Sequence, residues 1–171
     1  MALVALCVLL SQTQRLHSSV EIGSISEVRG NAQVLRDKPY DAELQFNIQQ
    51  MDDVRTEAGR VAITFEDNST VKLTEHSKLV IDEYIYDPDP SKSKMALKFA
   101  SGTARFITGK FNNKSNISIR TPTANIAIRG TDFTCTVDEL GRSLVILLPD
   151  ENGISSGEIL VSTAMGSVTL N

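Results

Sequence analysis

The two histidines are the first residues that could carry out chemistry in this chain. His17 lies in the N-terminal region, and His76 lies in Thr74-Glu75-His76-Ser77, a segment between two predicted strands. Nucleophilic catalysis requires a base, an orienting carboxylate and donors for an oxyanion, and the sequence around His76 signals neither the carboxylate nor the oxyanion donors. We therefore predict that His76 is a turn histidine and that the chain has no catalytic residue.

Acidic residues cluster at Asp82-Glu83 and again at Asp87-Pro88-Asp89. Oxygen ligands at such close spacing could suit Ca²⁺. However, the prolines constrain the loop, and the D-x-D-x-D-G pattern is missing. We predict solvated turn acids, with no metal and no cofactor. Carboxylates paired across a cleft, as in glycosidases, are the enzymatic alternative that a sequence leaves open.

Composition indicates one soluble, folded domain and argues against a nucleic-acid partner. The chain has 171 residues, 41% of them hydrophobic, and a formal net charge of -4 with no basic stripe. Without an electrostatic footprint for phosphates, nucleic-acid binding is not expected. Tryptophan is missing and aromatic residues make up 5%, so the core must consist mainly of Val, Ile and Leu. Cys135 is predicted to be a small buried residue.

The N-terminus carries an unbroken apolar run of nine residues, Ala2 to Leu10. This run is too short to span a bilayer, which takes roughly 20 residues, but it fits the apolar region of a secretory signal. No basic residue precedes it and no good cleavage site follows, so an apolar strand or helix packed on the domain is the alternative. We expect a signal peptide or apolar segment over residues 1–20, one domain over residues 21–171, an extracytoplasmic location and no integral membrane span.

From residue 20 onward the chain alternates with a period of two, which predicts strands. Arg60–Phe65 and Thr70–Leu73 form the clearest pair, and Asp67-Asn68 between them suits a tight hairpin turn. Ser143–Leu148 is continuously apolar, which predicts a strand buried on both faces. Residues 41–52 fit a helix or a strand equally well. Further strands are predicted at 78–86, 95–100, 103–108, 116–120, 124–129, 132–137, 159–162 and 167–170.

Glycines followed by alternating residues recur along the chain at irregular spacing, which suggests hairpins stacked in one elongated sheet system. They open the segments Gly30–Val34, Gly59–Ile63, Gly102–Phe106 and Gly166–Leu170. The predicted fold class is therefore all-β, as an elongated β-sandwich or a β-roll or solenoid-like stack of antiparallel hairpins.

Two stretches resemble the FecR domain family. The first is Asp53-Val54-Arg55-Thr56 followed by Gly59 and the 60–73 hairpin, with Asn68 where the family usually has Gly. The second runs from Arg120 through Thr121-Pro122 to Arg129-Gly130-Thr131-Asp132-Phe133. Together with Ile25–Gly30, the resemblance covers roughly residues 23–137. The motif positions, each interpreted as structural, are Asp53, Thr56, Gly59, Asp67, Asn68, Thr121, Pro122, Arg129, Gly130 and Thr131.

The resemblance implies an extracytoplasmic all-β domain. The best-known members relay iron-siderophore status from an outer-membrane receptor to an anti-sigma segment, but only about twenty residues precede the β region here. The expected function is a non-enzymatic exported module that binds a protein or glycan at the cell envelope or in a surface assembly, with edge strands as its binding surface. A structural component of a phage particle or secreted polymer is the alternative, and a periplasmic relay for a sigma-factor system follows it.

Overall fold

The computed structural model describes residues 20–89, 91–110, 116–149, 153 and 157–171. The described residues form β-strands and no helix, which confirms the all-β prediction. The described strands are β1 (Glu21–Arg29), β2 (Ala32–Leu35), β3 (Pro39–Asp41), β4 (Asn47–Gln49), β5 (Asp53–Thr56), β6 (Arg60–Phe65), β7 (Thr70–Leu73), β8 (Lys78–Ile85), β9 (Lys94–Ile107), β10 (Asn116–Arg120), β11 (Asn125–Arg129), β12 (Asp132–Val137), β13 (Ser143–Leu147), β14 (Glu158–Thr163) and β15 (Gly166–Leu170).

The strands form two layers that share β9. Layer 1 has the order β4-β1-β6-β7-β9-β12-β13, and layer 2 has the order β3-β2-β5-β8-β9-β10-β11-β14-β15. The β9–β10 pair is parallel, whereas the other described pairs are antiparallel. The sheet system is therefore mixed, whereas the prediction was a stack of antiparallel hairpins without a parallel pair.

The chain crosses between the layers at sharp corners. We call the two ends of the sandwich the Gly102 end and the Gly130 end. At the Gly102 end β9 itself turns from layer 2 into layer 1. Gly102 has a φ of +91°, and a Cβ there would overlap Ser77. Only glycine accepts this conformation and this approach without strain. Residues 95–100 and 103–108, predicted as two strands, therefore form one continuous, folded strand.

The layers pack face to face around one apolar core. Phe65 of layer 1 stacks on Tyr84 of layer 2 with ring centroids 5.3 Å apart. The chain crosses between the layers at both ends, within β9 at Gly102 and between β11 and β12 at Gly130, so the strands of the two layers run alongside each other as in an aligned sandwich. Phe106 and Phe133 stack at 5.0 Å within layer 1. Burial of such alternating apolar positions is the main favourable term for this fold.

The hairpin of β6 and β7 forms as predicted, with Asn68 in the left-handed region at a φ of 66°. The ambiguous 41–52 segment holds the short strand β4 between two turns, where Gln45 and Met51 also have positive φ. No helix in the described part of the chain is long and apolar enough to cross a membrane. Residues 1–19, which carry the predicted signal, lie outside the described residues.

Candidate partner-binding edge

Thr56 and its neighbours form hydrogen bonds and ion pairs between strands at the Gly102 end. The Thr56 hydroxyl is buried, donates to the Thr74 carbonyl at 2.6 Å and accepts the Ser77 amide at 2.8 Å. Asp53, three residues earlier, pairs with Arg55 at 2.7 Å and lies 3.5 Å from the Lys78 ammonium. Gly59 lies at the adjacent corner, where a Cβ would meet the backbone of Asn31. These contacts join neighbouring strands across the corner.

Asp67 occupies the opposite end and is fully buried. Its carboxylate accepts bonds from the Ser69 hydroxyl, from the Ser69 amide at 3.2 Å and from the Tyr84 hydroxyl at 3.1 Å. The Tyr84 oxygen in turn accepts the Asp67 amide at 3.1 Å. Burial, followed by the nearby Asp67 charge, raises the pKa of Tyr84 far above its usual value. The network ties layer 1 to layer 2.

The second family-like stretch is divided between both ends. At the Gly102 end, Thr121 bonds to Ser143 at 2.7 Å and accepts the Ala124 amide at 3.0 Å, while Pro122 lies under the turn at Gly141. At the other end, the Thr131 carbonyl accepts the Thr108 amide at 3.2 Å, and Gly130 lies against Gly157.

Charged members of that stretch form ion pairs. The Asp132 carboxylate accepts hydrogen bonds from Nε and Nη2 of Arg105, and the Arg129 guanidinium lies 3.8 Å from the Glu158 carboxylate. The predicted motif residues thus hold corners at two ends of the sandwich. The structure does not gather them into one site.

The other residues considered for catalysis or metal binding lie in ion pairs, in a turn or in the core. Asp82 and Glu83 pair with Lys98 at 2.7 Å and Lys94 at 2.6 Å. His76 is an exposed turn residue with a φ of 55°. Cys135 is buried, and burial raises the pKa of its thiol to about 11. In the described residues, no group of three or more His, Cys, Asp or Glu side chains could hold a metal ion.

One buried ion pair was missed by sequence reasoning. Asp52 is fully buried and receives two bonds from Arg36, both at 2.7 Å, and one from the Gln49 amide at 2.8 Å. The Arg36 guanidinium also lies 5.6 Å from the Phe46 ring centroid. Arg36 and Asp52 are sixteen residues apart with no shared motif, so no local signal could have revealed their contact.

The two layers end unevenly on one side of the sandwich. Among the described strands, layer 1 continues for two strands beyond β9 and stops at β13, whereas layer 2 continues for four and stops at β15. The β14–β15 hairpin therefore extends past the edge of layer 1. On the other side both layers stop together at three-residue strands, β3 and β4. We call the free edge of β13, together with the inner face of β14 and β15, the ledge.

An apolar row across layer 2 shows that the described residues leave the outer part of the ledge uncovered, beyond the buried Ile159 of β14. The residues of this row are opposite one another on five neighbouring strands. Leu97, Ile119 and Ile126 are buried, Val161 is partly exposed, and Val168 is 56% exposed. Exposure rises along the row where layer 1 ends, so the same inner face that forms the core continues into solvent.

The strand β13 was predicted to be buried on both faces, and the structure corrects this. It pairs only with β12 among the described strands. Leu144 and Ile146 on its outer face are 59% and 48% exposed, while Val145 and Leu147 pack partly buried against the core. Neither β13 nor β15 contains a charged residue or a proline, the features that usually protect edge strands from pairing.

Comparisons with known proteins agree with the sequence resemblance. A family model described as FecR protein matches residues 52–168. This match omits residues 23–51 of the predicted range and extends it beyond residue 137. Among curated proteins, none matches the chain in sequence.

Solved structures give the same fold. Two crystal structures, both described as a candidate anti-sigma factor from Parabacteroides distasonis ATCC 8503, match with a TM-score of 0.53 and 14% identity. Each alignment covers 69% of this chain and 50% of that one, so the chain spans about half the length of that protein.

Proposed function

Because the chain belongs to the FecR protein family, we propose that it is a non-enzymatic, exported module that binds a polypeptide strand at the ledge. The observation that carries this proposal is the rising exposure of the Leu97-to-Val168 row where layer 1 stops. An apolar inner face that continues past its covering layer is the surface that an added strand would bury.

The ledge offers what strand addition requires. The free edge of β13 presents backbone donors and acceptors, and an added strand would satisfy them. Because side chains alternate along a strand, every second residue of the ligand would point onto Val161, Val168 and Leu170. The opposite residues would lie beside Leu144 and Ile146, which are exposed on the outer face.

A polypeptide fits this surface better than a glycan does. Backbone hydrogen-bonding groups in a row recognise another backbone, and the ledge floor is aliphatic rather than a polar or aromatic platform. A relay role in a sigma-factor system would be one biological use of the same edge. The description of the Parabacteroides structures concerns that protein and supports such a role here only through the shared fold.

The binding proposal is tested by photo-cross-linking in cells that produce the full chain. A photoreactive residue replaces Ile146 on β13, and the control replaces Lys72, which is exposed on β7 within the same layer. We expect a covalent protein product from position 146, identified by mass spectrometry, and none from position 72. Equal products from both positions, or none from either, would overturn strand binding at the ledge.

The export proposal rests on the apolar run Ala2 to Leu10 and needs its own test. Fractionation should find the native protein outside the cytoplasm. Deletion of residues 1–20 should keep the protein in the cytoplasm with an unchanged β-type circular dichroism spectrum. Cytoplasmic retention of the native full-length chain would contradict export.

A further inference from the structure

We propose that the ledge is occupied by a second copy of this chain, which forms a two-fold dimer in which each copy completes the other's sandwich. This inference rests on the proposed function, because it names the polypeptide that binds there. The argument depends on the depth of the step, the strand directions, and the apolar and uncharged character of the edges.

Beyond β9, layer 2 has two more described strands than layer 1, and its inner face changes from buried at Ile159 on β14 to exposed at Val168 on β15. A second copy rotated by 180° about an axis parallel to the strands brings its own β14–β15 hairpin into the space beyond β13. The first copy's hairpin simultaneously fills the same space in the second copy. Both gaps close at once, and the contact is isologous, as a two-fold interface must be.

The strand directions agree with this arrangement. β13 runs from the Gly102 end, where Ser143 contacts Thr121, towards the Gly130 end. β15 runs in the same direction, because it is antiparallel to β14, which begins beside Arg129. An axis parallel to the strands preserves these directions, so β13 of one copy would pair in parallel with β15 of the other. Each of these strands has five residues.

The surfaces that would meet are chemically matched. Val145 and Leu147 on the inner side of β13 would continue into Val168 and Leu170 of the second copy. Since neither edge strand carries a charge, pairing them brings no like charges together. The two ledge floors would also cover each other and remove Val168, now 56% exposed, from water.

A β13–β13 pairing of two copies is disfavoured by the same step. Antiparallel pairing would place both layer 2 projections on the same side of the joined sheet, where the two β14–β15 hairpins would occupy the same space. The offset between the layers therefore selects β13 with β15 of the second copy.

The size of the contact predicts a weak but specific dimer. Each floor is about 10 Å wide and about 17 Å long, from the usual strand spacing and rise. Two such floors stacked, with two five-residue edges paired, give an interface near the lower end of stable ones, about 1,200 Å². We expect a dissociation constant on the order of micromolar.

Sedimentation velocity of the native protein over a concentration series is the first test. Val168→Lys places a charge on the ledge floor and should weaken the dimer at least tenfold. The matched control is Leu160→Lys, on the neighbouring strand β14. Leu160 is 38% exposed on the opposite face, so this variant should keep the native dissociation constant within about twofold. A native protein that is monomeric at every concentration, or equal weakening by both variants, would overturn the dimer.

Cross-linking identifies the arrangement. Mixed ¹⁴N- and ¹⁵N-labelled protein with a photoreactive residue at position 146 should give an inter-copy product within residues 166–170. A product joining position 146 to β13 of another copy would overturn the proposed arrangement. If the purified protein is monomeric while position 146 cross-links to a different protein in cells, the dimer is wrong and strand binding at the ledge stands. No product in cells contradicts strand binding itself.

Discussion

At the scale of single residues, the hydroxyl of Thr56 joins two segments of the chain. It donates to Thr74, accepts from Ser77 and lies in β5, so it links the strand before the corner to the β7–β8 turn. Buried polar groups that lose a partner carry the full cost of their desolvation. The Asp-x-x-Thr pattern is therefore explained by a corner that requires a hydroxyl in the core.

Thr56→Val should destabilise the domain by about 1–3 kcal/mol, because the Thr74 carbonyl and the Ser77 amide would each lose a bond of 2.6 or 2.8 Å. Urea unfolding followed by circular dichroism measures the difference. Thr169→Val on the exposed strand β15 is the control and should change stability by less than about 0.5 kcal/mol. Equal effects at the two positions would show that the buried hydroxyl is not special.

The thiol of Cys135 gives a second prediction, in alkaline solution. Burial raises its pKa from 9.0 to about 11, so the folded state holds the proton more tightly than the unfolded state does. The stabilisation is fully present below pH 9 and is lost as the pH rises towards 11. A difference of two units corresponds to about 2–3 kcal/mol.

Unfolding free energies of the native protein and of Cys135→Ala, measured from pH 8 to pH 11, isolate this contribution. The difference between the two proteins should shrink as the pH rises. Tyrosine titration affects both proteins and cancels in the comparison. A constant difference across the range would contradict a protected thiol.

At the scale of elements, the fold of β9 depends on one glycine. The strand reverses at Gly102, which lies against Ser77 with a φ of +91°. Gly102→Ala should cost about 3 kcal/mol or prevent folding, because a left-handed residue and a steric overlap are combined. Gly141→Ala is the matched control, since its φ is +78° and its nearest neighbour is the Pro122 side chain at 3.1 Å. It should cost only about 1–2 kcal/mol. Thermal unfolding measures the stability of both variants. A smaller loss of stability in Gly102→Ala than in Gly141→Ala would contradict the requirement for glycine at the corner.

Alternation and turn chemistry predicted the elements that are built from neighbouring residues. The β6–β7 hairpin is the clearest case, because its facing side chains and the turn at Asn68 are encoded within fourteen residues. The continuity of β9 through Gly102 was missed, since a glycine between two alternating runs signals a turn as readily as a folded strand.

The position of β13 shows a different limit. Its apolar residues on both faces predict burial, but whether a neighbouring strand exists depends on how many strands each layer contributes beyond β9. That number is a property of the topology. The ten motif residues form local patterns and could be found in the sequence. The ledge depends on the number of strands in each layer, so the sequence did not reveal this surface, which carries the proposed function.

At the scale of the whole molecule, the sandwich has a stable centre and a weak side. β9 pairs with four strands, β7, β8, β10 and β12, whereas the β14–β15 hairpin projects beyond layer 1 with β15 almost entirely exposed. Local opening free energies follow burial and contact density. Backbone protection should therefore fall from β9 outward to β15.

Hydrogen exchange measured by mass spectrometry tests this gradient and the dimer together. At concentrations well below the dissociation constant, β15 should exchange fastest among the strands of layer 2 beyond β9, and β10 slowest. At concentrations well above it, protection should increase in β13, β14 and β15, because their edges and faces become buried between copies. The short edges β3 and β4 are the internal control and should not change with concentration. A β15 as protected as β10 in dilute protein would contradict the uncovered ledge. A gradient that is independent of concentration would leave the ledge in place and rule out the second copy as its occupant.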